Sequence, residues 1–343
     1  MKIVFRALAA GAALATALAS HAQADAVSDF YKGRTVRIVV GNEVGMGFDI
    51  YGRLLSRHLG RHLPGQPNVV VQNMMGASGI AAANWLYNVA PRDGSVLATF
   101  VHTVPFEPLL GSGAAKFDSA KFTWIGNMES IVGICGVSRA SGIDRFSDLL
   151  ERETLFGATG VAGAMAKHTL AIRHLFGARI KLILGYQGSG AIKLAMQRGE
   201  VAGICGLSMS TLAAVWRDDF DSGAFKPILQ LSGGVHPELK GIPHIKDIAK
   251  SEEDSLMVGL IYGAQALGRP YVSAPAVPTD RKNALRAAFM ATMKDPQFLA
   301  DAAKTQIDIS PMTGEEVEAM VARVFASPHD VVERSKVAVR PED

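Results

Sequence analysis

The chain has 343 residues, 48% hydrophobic and 20% charged, with 35 basic against 32 acidic side chains and a net charge of +3. That length exceeds one hydrophobic core and suits two lobes of ~100–200 residues each. A near-neutral balance without a basic run argues against a nucleic-acid binder, and two cysteines alone make a poor metal site.

The first segment reads as an export signal. Lys2 and Arg6 precede the small apolar run "ALAAGAALATALAS", and "AQA" ends at Ala24. This is the order of a secretory signal peptide with an Ala-x-Ala cleavage site, and the apolar run is shorter than the ~20 residues of a membrane span. The mature chain is expected to begin near Asp25 and to be soluble outside the cytoplasm.

Strand and helix signals then alternate. "TVRIVV" (35–40) is β-branched and reads as a strand. Asp49 is placed to cap a helix with Tyr51, Leu54, Leu55 and Leu59 at helical spacing. "PNVVVQN" (67–73) is a second strand, followed through "MMGASG" by a helix from about Ile80 to Tyr87. "GSVLATFV" (94–101) is a third strand, and His102 and Thr103 follow it as candidates for ligand contact.

A second run repeats the pattern. "IVGICGVS" (131–138), "TLFGAT" (154–159), "RIKLILG" (179–185), "EVAGICG" (200–206) and "KPILQLS" (226–232) read as strands. The helices between them include "AMAKHTLAIRHLFG", stopped at Gly177, and "AIKLAMQRG", stopped at Gly199. "SLMVGLIYGAQAL" reads as an apolar strand region. From Thr279 the chain is helical, with Thr279 and Asp280 as caps for its first helix, and Thr313 with Glu316 as a capping box for its last.

Alternating strands and helices imply parallel sheets flanked by helices, an α/β class in which ligands sit where strand carboxyl ends meet helix N-termini. The expected organisation is a signal peptide (1–24), a first lobe (25–130 with 226–343) and a second lobe (131–225). Cys135 and Cys205 each lie inside the tetrapeptide Gly-Ile-Cys-Gly. In an oxidising compartment they are a candidate disulfide; two small buried thiols are the other reading.

Four turns share one design, a strand, a glycine bend and a helix N-terminus. They are Gly45-Met46-Gly47-Phe48, Gly76-Ala77-Ser78-Gly79, Ala158-Thr159-Gly160 and Tyr186-Gln187-Gly188-Ser189. Helix N-termini leave N–H groups without internal partners and carry a positive partial charge, so such turns accept anions. Any one of them could simply redirect the chain; four in matched positions point to one anionic ligand.

"GMGFDIYGRLL", "VVVQNMMGASGIAAANWLYNVAPRDGSVLA", "GYQGSGAIKLAMQRGEV" and "APAVPTDRKNALRAAFMATMKDPQF" together resemble the substrate-binding proteins of tripartite tricarboxylate transporters, the Bug-type extracytoplasmic solute receptors. The resemblance implies a two-lobed periplasmic-binding-protein fold of type II, a Venus flytrap, in the periplasm. It implies a monomer that clamps a small organic acid, needs no cofactor, and delivers its ligand to integral membrane transporter subunits. Carried onto this chain, the contacts fall at Gly45, Gly47, Phe48, Gly76, Ala77, Ser78, Thr159, Tyr186, Gln187 and Gly188, with Met46 beside them. Val44, Gly45 and Met46 stand where the family has a proline and paired glycines, and Glu43 sets a carboxylate nearby. The alternatives are a receptor for a non-carboxylate ligand, a metal receptor using His58 and His62, a sensor for a signalling partner, or an enzyme. No known catalytic motif supports the last.

Overall fold

The structure is a computed structural model. It describes residues 26–340 except Met46 and residues 111–112, 161–162, 232–235 and 306, and leaves the side chains of 78, 110 and 214 undescribed. The expected signal peptide lies outside the described residues.

The first run comprises β1 (Thr35–Val40), α1 (Gly47–Leu59), β2 (Asn68–Asn73), α2 (Ile80–Asn88), β3 (Val96–Thr99) and β4 (Thr123–Asn127). The second comprises β5 (Gly133–Ser138), β6 (Thr154–Gly157), α3 (Ala164–Phe176), β7 (Ile180–Ile183), α4 (Ser189–Gln197), β8 (Gly203–Ser208), α5 (Met209–Val215) and β9 (Phe225–Gln230). The return contains α6 (Glu252–Tyr262), β10 (Pro270–Ser273), α7 (Thr279–Thr292), α8 (Pro296–Lys304), β11 (Met312–Thr313), α9 (Gly314–Phe325) and α10 (His329–Ala338). Shorter helical turns join these elements.

The strands form two sheets, ordered β11-β4-β10-β3-β1-β2 and β7-β6-β8-β5-β9. β1 pairs in parallel with β2 and β3, and β6 in parallel with β7 and β8. β10 runs antiparallel between β3 and β4, so the returning chain completes the first sheet. Buried Val36, Ile38, Val39 and Val40 make β1 apolar on both faces, as a central strand covered by helices requires.

Two strand readings change. "SLMVGLIYGAQAL" lies largely in helix α6, whose start is fixed by a reciprocal cap between Ser251 and Asp254. A short apolar run does not distinguish a buried strand from a buried helix by periodicity. The strand expected at 226–232 is β9, and it pairs with β5 at the edge of the second sheet although the sequence placed it in the first lobe. That edge tolerates Pro227, which has no N–H to give a ladder. The capping box of Thr313 and Glu316 forms on α9, whereas α7 starts behind Pro278 without a side-chain cap from Thr279 or Asp280.

The repeated tetrapeptides meet. β5 and β8 are antiparallel neighbours with Cys135 opposite Cys205, and the two sulfurs are bonded. Their flanking glycines make room for aromatic rings. A Cβ on Gly203 would stand 2.7 Å from the Phe156 ring, and one on Gly136 would enter the Phe225 ring.

Two crossover segments, residues 128–132 and 263–269, run side by side between the sheets. Ile131 N–H donates to Gln265 O at 2.9 Å, and Met128 N–H to the Arg269 carbonyl at 2.9 Å. Asn127, fully buried, donates to Glu129 O and Ala266 O and accepts the Arg269 N–H. A Cβ on Gly268 would lie 2.5 Å from Glu129 O, so only glycine lets the two segments approach this closely.

Candidate functional site

In the first sheet, two of the glycine turns stand at the carboxyl ends of the neighbouring strands β1 and β2. Helix α1 begins at Gly47, so Asp49 is its third residue and not its cap. The Asp49 carboxylate instead reaches back to accept the Gly45 N–H at 2.8 Å, and also bonds Arg53 at 2.8 Å and Asn73 at 2.9 Å. Burial alone would raise the Asp49 pKa, but the bonds from Arg53, Gly45 and Asn73 outweigh it and hold the carboxyl below its ordinary range. Asn73, the last residue of β2, also donates to Asn42 O, so one aspartate and one asparagine tie the two turns together.

The second turn is conformationally unusual. Gly76 has φ 141° and Ala77 has φ 46°. A left-handed alanine costs ~1–2 kcal/mol, and such strain is retained where the surroundings demand one backbone shape. Gly76 and Ala77 are exposed, and the backbone of Ser78 lies in the short helical turn Ala77–Gly79.

In the second sheet, the other two turns stand at the ends of β6 and β7 and bond to each other. The Gly185 N–H donates to Thr159 O at 2.8 Å, and the Tyr186 N–H to Ala158 O. The Tyr186 ring packs near Gly157, Gln187 is exposed, and Gly188 (φ 144°) occupies the N-cap of α4. Thr159 is partly exposed and leads toward α3.

One ion pair links elements that belong to the two sheets. Lys167, in the first turn of α3, lies 3.6 Å from Glu107, which opens a short helix (Glu107–Leu110) in the segment after β3. His102 and Thr103 belong to that same segment, between the end of β3 at Thr99 and the helical turn that starts at Val104. Both His102 ring nitrogens are sealed without a partner, and burial, with the Arg269 charge, pushes its pKa down to about 4. His168 on α3 is buried, stacks on Tyr262 and meets the Gln265 amide at 3.1 Å; burial, with the His102 and Lys167 charges, pushes it to about 3.

Sequence reasoning missed the charged pair under this region. The Arg269 guanidinium lies between the Phe48 and Tyr51 rings, 4.5 and 4.6 Å from their centres. Its Nε is 3.6 Å from Glu129 Oε2. Burial raises the Glu129 pKa, Arg269 pulls it back, and the Tyr51 and Ser210 hydroxyls also favour the charged form. The available signal was a lone arginine between apolar stretches, in "YGAQALGRPYV".

Met46 is outside the described residues. Among the described residues the two pairs of turns do not bond each other, and a cavity of 740 Å³ lies away from them on the second sheet, lined by Arg139, Lys193 and Trp216. His58 and His62 do not share an open face for a metal. His58 is buried, at 3.0 Å from Asp301, and His62 pairs with Asp295 at 2.9 Å, because α8 packs across α1. Among the described residues no group of three metal-ligating side chains converges.

No protein-family model and no curated protein matches the sequence. Solved structures do match in fold. A TctC solute-binding protein from Polaromonas superposes with a TM-score of 0.71 at 18% identity, over 89% of this chain and 99% of that one. An R. palustris protein solved with adipate gives 0.60 at 18% identity, over 89% and 97%. MatC from Rhodopseudomonas palustris, solved with malate, gives 0.59 at 14% identity, over 90% and 99%. The chain has the two-lobed α/β fold that these solute-binding proteins share.

Proposed function

We propose that the protein is a periplasmic solute receptor of the Bug type, which captures a small carboxylate between its lobes and passes it to membrane transporter subunits. The observation that carries this reading is the pairing of glycine turns: two at the ends of adjacent parallel strands in each sheet, tied together by Asn73 and Asp49 in one sheet and by the Gly185–Thr159 bond in the other. Each pair directs helix N-termini, α1 and α2 or α3 and α4, toward the strand ends. Structural likeness to proteins solved with adipate and malate supports an acid as ligand. Hydrogen bonds to a charged group contribute ~1.5–3 kcal/mol each, so four or five offset association costs and reach the ~8 kcal/mol of a micromolar site. Capture and release need no catalytic group, and the protein acts as a monomer with its leader removed.

A thermal-shift screen tests this. At about 100 times its dissociation constant, a dicarboxylate, a hydroxy acid or another acid in the panel stabilises the chain by about 2.7 kcal/mol and raises Tm by several degrees. If no acid shifts Tm while sugars, cations or amines do, the carboxylate reading is wrong.

A further inference from the structure

We infer that Arg269 is the charge-selecting residue of the first glycine turn, and that Glu129 sets how much of its charge the ligand feels. The inference rests on the receptor reading above and specifies what that site discriminates.

Position comes first. A Cβ on Gly47 would lie 3.3 Å from Arg269 Nη2. Cα–Cβ bonds on a helix tilt toward its N-terminus, so the guanidinium flanks the open end of α1. A side chain at Gly47 would crowd the guanidinium there. The guanidinium is also held in place. Phe48 and Tyr51 sandwich it, and Nη1 donates to Gly268 O at 2.8 Å.

Its charge is only partly spent. Nε is sealed from solvent and has no hydrogen-bond acceptor, and the contact with Glu129 is 3.6 Å. Arg286 shows what a structural arginine looks like in the same chain: it donates to Trp124 O at 2.8 Å and to Glu315 at 2.7 Å, and its Nη2 forms a close ion pair with Glu318. Arg53, also on α1, is paired at 2.8 Å with Asp49. Among the described residues Arg269 pairs with a carboxylate only at Glu129, at the longer distance of 3.6 Å, and 15% of its side chain remains exposed.

Backbone amides alone donate to any oxygen, charged or neutral. A fixed cation at the same helix end makes the turn prefer an acid over its amide. Glu129, with 4% of its side chain exposed, offsets part of that attraction from behind. The two residues therefore act on ligand affinity with opposite signs.

The test measures adipate and malate against their neutral diamides by calorimetry. Arg269→Gln loses about tenfold or more in acid affinity while its diamide affinity is unchanged, so the ratio falls. Arg269→Lys recovers part of that ratio. Glu129→Gln binds the acid several-fold more tightly even as the protein's Tm falls, a combination that a purely structural role does not produce. An unchanged ratio in Arg269→Gln, or weaker acid binding in Glu129→Gln, overturns the inference while leaving the receptor reading intact. Wild-type protein that takes no acid at all overturns both. Should Arg269→Gln fail to fold, Glu129→Gln decides alone.

Discussion

Two histidines with buried rings or ring nitrogens make the protein sensitive to mild acid. His168 is 3% exposed, and His102 has both ring nitrogens sealed without partners. Their pKa values fall from 6.5 to about 3 and about 4, first because burial disfavours the charged ring. Arg269 adds repulsion at His102, and Lys167 with His102 adds it at His168; Glu107 faces Lys167 from across the gap. The unfolded chain takes up protons as pH falls through 6.5, and the folded chain does not follow until about 4 and 3. Stability is therefore full above pH 6.5 and declines below it. Each group contributes about 1.4 kcal/mol per pH unit, so between pH 6.5 and 5 each removes about 2 kcal/mol and the pair about 4 kcal/mol. Most carboxylates titrate below this window, which isolates the histidines. Urea unfolding of wild type and of the His102→Gln/His168→Gln double variant at pH 7 and pH 5 reads the difference directly. The double variant should lose about 4 kcal/mol less than wild type on acidification. Equal losses in the two proteins would refute the reasoning.

Three further outcomes follow from packing. Asn127→Ala removes three hydrogen bonds, two of them to the other crossover and one to Glu129 O in its own segment, and should cost about 3 kcal/mol in urea unfolding; a loss under about 1 kcal/mol would contradict that role. Gly136→Ala drives a methyl group into the Phe225 ring, and should cost about 1–3 kcal/mol, while the same change at Gly160, which has open space, should cost far less. The Cys135–Cys205 bond spans a sequence separation of 70, so Cys135→Ser should lose about 4 kcal/mol; intact-mass measurement of unreduced exported protein should find no alkylatable thiol in wild type.

Local signals made most of the strands and all four glycine turns legible. β-branched runs such as Val36–Val40 and glycine punctuation act over a few residues, and local geometry settled them. Where meaning depended on the other lobe, the sequence was silent. Arg269 and Glu129 come together only because the crossovers pair side by side. His58 and His62 read as one polar face because α8, which supplies Asp301 and Asp295 to cover them, arrives from the far end of the chain. Asp49 read as the cap of α1, but the helix starts two residues earlier and Asp49 reaches back from inside it to accept the Gly45 N–H. Helix α6 was hidden because its exposed side carries Leu256 and Gly259, which blurs the period that distinguishes helix from strand.

Hydrogen–deuterium exchange on adding a binding acid tests the central claim most directly. The account predicts slowed exchange in four separate peptides, covering residues 43–49, 74–80, 158–164 and 184–190, with little change on the outer helices. Protection confined to one sheet, or to the groove beside Trp216, would contradict it.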